Sequence, residues 1–385
     1  MLENTLVMEE IWRNKKAGRR AAVATVVRVF GSAYRKEGAK MLVDESGKVT
    51  GTISGGCLEA DVAESAKKVI ESGIPILKMY ALDEDVVWGL GLGCPGTIEV
   101  YIELVSDEQC NQQRKGTIKM SHHRAFDAWL ECIKKEKEGA LATVLQTKGS
   151  RQAGRLFIPK KGHPIGTLGD SVVDSQVCHM VDRKLSESNP KPETIVFKGA
   201  QKEEVSVLID VSIPPAALMI FGAGHDAIPV AKYGVSLGFK AIIVDPRLAY
   251  NSEERFPGAM RVLAETDQFA KNLHIDRRTY IVVMNHHLER DQETLKFVLP
   301  SQAPYIGVLG PLSRRIRMMN AIEKEGIVFR NHQLKRMYSP IGLDIGAVTS
   351  EEIAVSILAE IVAVKNGHTG GFLQNSEHIH QAAKF

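Results

Sequence analysis

Cysteine is scarce in this sequence, and the cysteines that occur are not arranged in pairs. The 385 residues contain five, an odd number with no Cys-x-x-Cys, so neither a disulfide framework nor a structural zinc site is indicated. No apolar run approaches the roughly 18 residues that a membrane span requires. The first residues, MLENTLVMEE, lack the apolar core of a signal peptide. We therefore expect a cytoplasmic protein in a reducing compartment.

A large excess of charge of one sign is also missing. Lys and Arg number 49 against 46 Asp and Glu, a formal net charge of +3, which gives no reason to expect nucleic acid or a membrane surface as a partner. The hydrophobic share of 44% and the charged share of 25% are those of an ordinary globular protein. A chain of this length is expected to form two or three domains, each with its own core.

The first half of the chain contains an internal repeat. Residues 24–32, ATVVRVFGS, resemble residues 142–150, ATVLQTKGS. Residues 41–53, MLVDESGKVTGTI, resemble residues 156–168, LFIPKKGHPIGTL. In both places three apolar residues, a turn ending in glycine and a second short strand predict a β-hairpin, and a helical pattern follows.

The repeat predicts a domain built from a duplicated unit. Copies at about 1–108 and 121–213 each begin with an amphipathic helix and end in apolar strands. We expect them to pack as one pseudo-symmetric α+β domain over residues 1–213.

The differences between the copies point to a site in the first one. SGGCLE (54–59) aligns with GDSVVD (169–174), so Cys57 stands opposite Val172. The pair Gly55-Gly56 permits positive φ and close approach by a ligand, and a helix N-terminus favours the thiolate form of a cysteine. The alternative is a tight strand-to-helix turn with a small buried cysteine.

Two further features occur only in the first copy. Its stretch GSAYRKEGAKM, which contains Arg35, is longer than its counterpart, and an insert VVWGLGLGCPG (86–96) carries Cys94. A purely structural motif should be kept where the scaffold is kept. The joint absence of Cys57, Arg35 and Cys94 from the second copy therefore favours one site over three unrelated turns.

Residues 214–367 predict a Rossmann-like, doubly wound parallel sheet, followed by a tail. The strand ALMIF leads into Gly222-x-Gly224-x-x-Ala227 and a helix, and Asp245 closes the next strand. In this fingerprint the first glycine makes the turn, the second lets a pyrophosphate approach, and the alanine lets the helix pack on the strand. The whole chain is therefore predicted to be α/β, and the tail covers residues 368–385.

Ligands in such sheets bind beyond the carboxyl ends of the strands. That position predicts a cofactor-binding rim, which contains His225, Asn285, His286, Gly310 and Asp344. His286 and His287 are adjacent and point in different directions, so ligand contact is favoured over a metal pair. For Asp344 the alternative is that it only caps or fixes its turn.

Several motifs together resemble the XdhC/CoxI family. They are VFGSAYRKEGAKM, SGGCLEADV, GLGCPG, FGAGHDAIPVA, VVMNHHLERD, YIGVLGPLSRR and PIGLDIGAVTSEEIAVSILAEI. Their order and their spread from residue 22 to about 366 make the resemblance specific. Members of this family are accessory factors for xanthine dehydrogenase and related molybdenum hydroxylases.

The resemblance implies a cofactor-binding chaperone rather than a catalyst. Such a protein binds the molybdenum cofactor (molybdopterin, with or without a nucleotide tail), supports its sulfuration, and passes it to apo xanthine dehydrogenase or a related enzyme. The family's cysteine turn falls on Gly55, Gly56, Cys57 and Glu59, its arginine on Arg35, and its second loop on Gly91, Gly93 and Cys94. Cys57 would then face molybdenum, or Cys57 and Cys94 would carry sulfur.

Further partners and a competing function follow as expectations. A cysteine desulfurase would supply sulfur, and we expect a homodimer. The competing function is an NAD(P)-dependent oxidoreductase, in which Asp245 takes the ribose hydroxyls; no Ser-Tyr-Lys set for hydride chemistry is evident. A structural adaptor with a vestigial nucleotide fold is a third interpretation.

Overall fold

The fold was determined as a computed structural model. It describes residues 2–31, 33–82, 96–105, 117–147, 154–187 and 189–374. The chain divides into two compact units, Met1–Pro214 and Pro215–Phe385, which are described separately. Within the described residues no helix is both long and apolar enough to cross a membrane.

The first copy of the repeat forms an antiparallel sheet of five strands with two helices. Its elements are α1 (Leu2–Lys16), β1 (Ala21–Gly31), β2 (Lys40–Asp44), β3 (Val49–Gly51), α2 (Glu59–Ser72), β4 (Ile76–Leu82) and β5 (Gly96–Val105). The strand order is β3-β2-β1-β5-β4.

The second copy has the same order of elements. They are α3 (Thr117–Lys134), β6 (Gly139–Thr147), β7 (Arg155–Pro159), β8 (Ile165–Thr167), α4 (Ser171–Lys184), β9 (Glu193–Lys198) and β10 (Glu204–Ser212). Its sheet runs β8-β7-β6-β10-β9, so each strand has its counterpart in the first copy. The α+β class predicted for this half is confirmed.

The central strand β1 is buried on both faces, which explains its almost continuous apolar sequence. Ala22, Ala24 and Val26 pack with α2. The alternate residues Ala21 and Val23 belong to a second core, which contains residues of α1 and α3. Because side chains alternate along a strand, the two copies share this second core while each keeps a helix of its own on the outer face.

Two buried ion pairs join the copies reciprocally. Lys40 Nζ lies 2.6 Å from Asp210 Oδ2, and Arg155 pairs with Glu103. Lys40 and Arg155 begin the equivalent strands β2 and β7. Glu103 lies opposite Val23 as Asp210 lies opposite Leu141. The two pairs are therefore related by the repeat, and each bridges from one copy to the other.

The second unit contains a parallel sheet with helices on both faces. Its elements are β11 (Ala217–Phe221), α5 (Ala227–Ser236), β12 (Lys240–Val244), β13 (Met260–Val262), α6 (Phe269–Asn272), β14 (Thr279–Val283), α7 (Leu288–Val298), β15 (Tyr305–Val308), α8 (Leu312–Lys324), α9 (Asn331–Leu334), β16 (Met337–Tyr338) and α10 (Ser350–Asn366). The order β13-β12-β11-β14-β15-β16 reverses direction between β11 and β14. That switch point is where Rossmann folds bind ligands.

The sequence explains these layers. Strands β14 and β15 are buried throughout, as parallel strands covered on both faces must be. Helices α5 and α10 pack on one face of the sheet, and α7 and α8 pack on the other. The doubly wound sheet predicted from the βα alternation is confirmed.

Candidate functional site

The cysteine of the first copy lies on an exposed turn between β3 and α2. Cys57 is exposed, so the alternative of a small buried cysteine is wrong. Gly56 has a φ of +109°, and a Cβ built there would meet nothing within 4 Å. This glycine is therefore required by the backbone conformation rather than by crowding.

Glu59 holds this turn together from the first position of α2. One oxygen, Oε1, accepts from the N–H groups of Ile53 and Ser54 at 3.2 and 2.9 Å. The other, Oε2, accepts from the Ser54 hydroxyl at 2.5 Å and from Leu58 N–H at 3.2 Å. Burial by itself would raise the pKa of Glu59, but these hydrogen bonds, led by the Ser54 hydroxyl, lower it below its ordinary value.

The second copy shows that this clamp belongs to the scaffold. Asp174, at the position of Glu59, accepts from the Thr167 hydroxyl and from Leu168 N–H, both at 2.7 Å. The carboxylate is thus kept in the copy that has no cysteine. These contacts favour a positioning role for Glu59 over the catalytic role suggested by the family resemblance.

The two turns differ in what caps the helix. In the second copy, Asp170 accepts from the N–H groups of Val172 and Val173 at 2.8 and 3.2 Å. Gly55 takes the place of that carboxylate in the first copy. As a result Cys57 N–H, which corresponds to Val172 N–H, has no acceptor within the described part of the chain. The exposed thiol is accompanied by an exposed backbone donor.

Tyr34 connects the turn to the other feature of the first copy. Its ring lies 3.7 Å from where a Cβ on Gly55 would be, and its side chain is 69% exposed. The half-buried Arg35 follows it in the chain. Cys94, with Gly91 and Gly93, lies outside the described residues. Tyr34 was missed from the sequence, although an aromatic residue in a stretch specific to one copy was a usable signal.

Replacement of Glu59 by glutamine should lower stability in a pH-dependent way. Because the pKa of Glu59 is lower in the folded chain than the ordinary value of about 4.3, its contribution is present above that pH and is lost as pH falls through the folded value. We expect Glu59→Gln to cost about 1 kcal/mol at pH 7, since charged hydrogen bonds that are partly solvated contribute modestly.

The measurement is urea unfolding between pH 7 and pH 4, followed by tryptophan fluorescence, which reports the first unit because all three tryptophans precede residue 215. The difference between wild type and variant should shrink toward pH 4. A difference that stays constant with pH would contradict the assignment of a charged clamp.

In the second unit the glycine turn follows β11. Gly222 has a φ of +108°, and a Cβ there would lie 2.5 Å from the Met284 carbonyl oxygen, so both conformation and crowding require glycine. Ala227, the first residue of α5, is fully buried, which lets the helix pack on the sheet. The neighbouring His225 is exposed.

Asp245 is fully engaged by the chain itself. Its Oδ2 accepts from Ala223 N–H at 2.9 Å and from Arg247 Nη2 at 2.7 Å. Its Oδ1 accepts from Arg247 N–H and Nε, both at 2.9 Å. Burial by itself would raise the pKa of Asp245, but these bonds, led by those from the Arg247 side chain, lower it. Only 1% exposed, this carboxylate is not placed to accept from ribose, which argues against that predicted contact.

Asp226 and His286 form a pair at the switch point. His286 Nε2 lies 2.7 Å from Asp226 Oδ2, with side-chain exposures of 59% and 16%. His286 has a φ of +58°, a conformation that non-glycine residues adopt at a cost of about 1–3 kcal/mol. His286 was named from the sequence. Asp226 was missed because 60 residues separate it from its partner.

The remaining rim residues have different surroundings. Asn285 donates from Nδ2 to Asp291 Oδ1 at 2.9 Å, and Arg314 donates to the other oxygen of that buried carboxylate at 2.7 Å. Gly310, with a φ of +120°, lies against the Arg314 side chain. Asp344 is exposed, and the cap of α10 is supplied by a Thr349–Glu352 capping box instead.

Comparison with known proteins identifies the family. The family model described as XdhC and CoxI family matches residues 15–81, and the XdhC Rossmann domain matches residues 218–361. A protein of Bacillus subtilis described as a probable xanthine dehydrogenase component is 31% identical over 348 residues, which cover 90% of this chain and 93% of that protein. The chain belongs to the XdhC and CoxI family.

Two further relatives extend this result. The "Molybdenum cofactor insertion chaperone PaoD" of Escherichia coli is 22% identical over 349 residues, covering 91% of this chain and 85% of that protein. A crystal structure described as a xanthine dehydrogenase from Bacillus halodurans matches with a TM-score of 0.72 and 28% identity, covering 93% of this chain and 95% of the other. The fold of this XdhC/CoxI-family chain is therefore shared along almost its full length.

The predicted site residues of this XdhC/CoxI-family chain fall in two places. The first unit brings Gly55, Gly56 and Cys57 together with Tyr34, next to Arg35. The second unit places Gly222, Gly224, Asn285 and His286 at the switch point. The two places differ in chemistry: the first offers a thiol and a free N–H group, and the second offers a carboxylate–imidazole pair.

Proposed function

We propose that this chain binds the molybdenum cofactor, supports its sulfuration, and inserts it into xanthine dehydrogenase or a related molybdenum hydroxylase. Membership of the XdhC and CoxI family and the likeness to the E. coli insertion chaperone support an accessory role. The observation that carries the proposal is the exposed Cys57, which stands on a glycine turn in only one of two otherwise equivalent copies.

The groups around Cys57 suit such a cargo. A thiolate is a soft ligand for a transition metal and can also hold sulfur as a persulfide. The N–H of Cys57 can donate to an anionic group at the helix N-terminus. The exposed ring of Tyr34, in contact distance of Gly55, offers a flat face to a heterocycle such as a pterin.

The roles follow from these contacts. Cys57 faces molybdenum or carries the incoming sulfur, with Cys94 as the second candidate thiol. Arg35 holds an anionic group of the cofactor, and Glu59 positions the turn through its four hydrogen bonds. A cysteine desulfurase delivers the sulfur, and the apo-hydroxylase receives the loaded cofactor from a homodimer of this chain.

The test is a chemical analysis of the full-length protein after co-expression with the molybdenum-cofactor pathway. We expect molybdenum and pterin to copurify in near-equal amounts, and the loaded protein to activate an apo-hydroxylase. A chain that purifies without either component and leaves the apo-enzyme inactive would rule out the proposal.

The oxidoreductase interpretation receives less support from the structure. It needs Asp245 to accept from the ribose hydroxyls, and all four acceptor positions of that carboxylate are filled by Ala223 and Arg247. A nicotinamide-linked activity would therefore require this rim to rearrange.

A further inference from the structure

Dinucleotide binding in a Rossmann fold depends on two features of the rim. The pyrophosphate lies close to the second glycine of the turn, at the N-terminus of the following helix, and an acidic residue at the end of the second strand accepts from the ribose hydroxyls. Both positions can be inspected here, at Gly224 and at Asp245. The sequence fingerprint is intact at both, but the side chains around them are arranged differently.

A carboxylate covers the second glycine. Asp226 Oδ1 lies 2.6 Å from where a Cβ on Gly224 would be, which is the space that the glycine normally leaves open for a pyrophosphate. The other oxygen of Asp226 is fixed by His286 Nε2 at 2.7 Å. A phosphate approaching Gly224 would meet a like charge, and Asp226 cannot swing away without giving up its histidine.

The ribose position is also filled. Each oxygen of Asp245 already accepts two hydrogen bonds from Ala223 and Arg247. The guanidinium of Arg247 covers the carboxylate from the solvent side, where it also stacks over the ring of Tyr250 at 4.3 Å. A ribose would find a cation with no acceptor oxygen left beneath it.

We infer that the switch point of this chain rejects dinucleotides, and that Asp226 and Arg247 are the residues that determine this specificity. Taken with the proposed function, on which this part rests, the inference assigns the cofactor handled here to the class that ends in a single phosphate group. A molybdopterin extended by a nucleotide through a pyrophosphate is excluded from this rim.

The test is a gain of binding, because loss of binding has many causes. ADP-ribose, which carries the pyrophosphate and both riboses without redox chemistry, is titrated calorimetrically into the full-length wild type, Asp226→Ala, Arg247→Ala and the double variant. Wild type should show no binding at about 1 mM, and the double variant should bind at least about tenfold more tightly than that limit.

Asp267→Ala is the matched control. It removes an exposed carboxylate of the same unit away from the glycine turn, so it changes net charge as Asp226→Ala does and should gain nothing. Sub-millimolar binding of ADP-ribose by wild type would overturn the inference. So would a double variant that keeps the wild-type circular dichroism spectrum and thermal transition yet binds no better than wild type.

A second measurement separates this inference from the proposed function. The cofactor retained by wild type is hydrolysed and analysed for pterin and for CMP and GMP. Pterin without nucleotide is the expected result, and nucleotide equimolar with pterin would contradict the inference. Absence of pterin would contradict the proposed function, while the ADP-ribose titrations would still decide whether the rim rejects dinucleotides.

Discussion

Replacement of Cys57 by serine should reduce the molybdenum retained by the protein by at least about tenfold. Loss of groups that only support a metal ligand costs roughly 10–100-fold in metal affinity, so removal of the soft sulfur itself should cost no less. Serine keeps the size of the side chain, and the exposed position means that folding should not change. The measurement is molybdenum and pterin content after co-expression, followed by activation of the apo-hydroxylase.

Two controls make this result specific. Cys178→Ser removes another free cysteine, half-buried in α4 of the second copy, and should leave retention unchanged. Val172→Cys, added to the Cys57→Ser variant, places a thiol at the equivalent position of the second copy. It should not restore retention, because Asp170 already occupies the neighbouring N–H groups there. Equal retention and equal activation by Cys57→Ser and wild type would exclude a role for the thiol.

The internal repeat made the turn at Cys57 predictable. Because the scaffold occurs twice, the sequence itself shows that Cys57 and its two glycines are not needed to join a strand to a helix. The structure adds the exposure of the thiol and the φ of +109° at Gly56. It also separates Glu59 from the chemistry, since its counterpart Asp174 makes the same kind of clamp. A sequence shows that a carboxylate is present but not which donors it accepts from.

The Rossmann half was predictable as a fold and less so as a site. Alternating apolar strands and helices fix a parallel sheet, and its switch point follows from the strand order. The occupancy of the rim depends on side chains that pair only after folding. Asp226 and His286 follow adjacent strands, β11 and β14, that are far apart in the chain. Arg247 turns back onto Asp245 only two residues away, and no spacing rule indicates that choice.

Replacement of Asp210 by alanine should destabilise the first unit by about 3–5 kcal/mol, because removal of one member of a buried ion pair leaves the other charge without compensation. Lys40 and Asp210 have side-chain exposures of 5% and 8%. The remaining acceptor for Lys40 Nζ is the Thr25 hydroxyl at 3.2 Å, which carries no charge. Urea unfolding followed by tryptophan fluorescence measures this cost, since all three tryptophans lie in this unit.

Asp61→Ala is the matched control for burial. Asp61 and Lys78 form a pair of 2.5 Å in the same unit, but their side chains are 52% and 39% exposed, and exposed pairs contribute at most about 1 kcal/mol. The double variant Lys40→Met/Asp210→Leu removes both buried charges and should recover most of the loss, because apolar replacements of a buried pair are often neutral or stabilising. An Asp210→Ala variant no less stable than Asp61→Ala would show that the pair does not hold the two copies together.

The same variant separates stability from function. Asp210 belongs to the second copy, which has no cysteine at the equivalent turn. Its partner Lys40 shares a face of β2 with Leu42, which belongs to the core between the copies, whereas Met41 packs with α2 on the other face. Below its unfolding transition, Asp210→Ala should therefore retain molybdenum and pterin as the wild type does. The second copy then contributes by covering the core shared with the first, through reciprocal ion pairs and apolar packing, while the cofactor chemistry stays with the copy that kept the thiol.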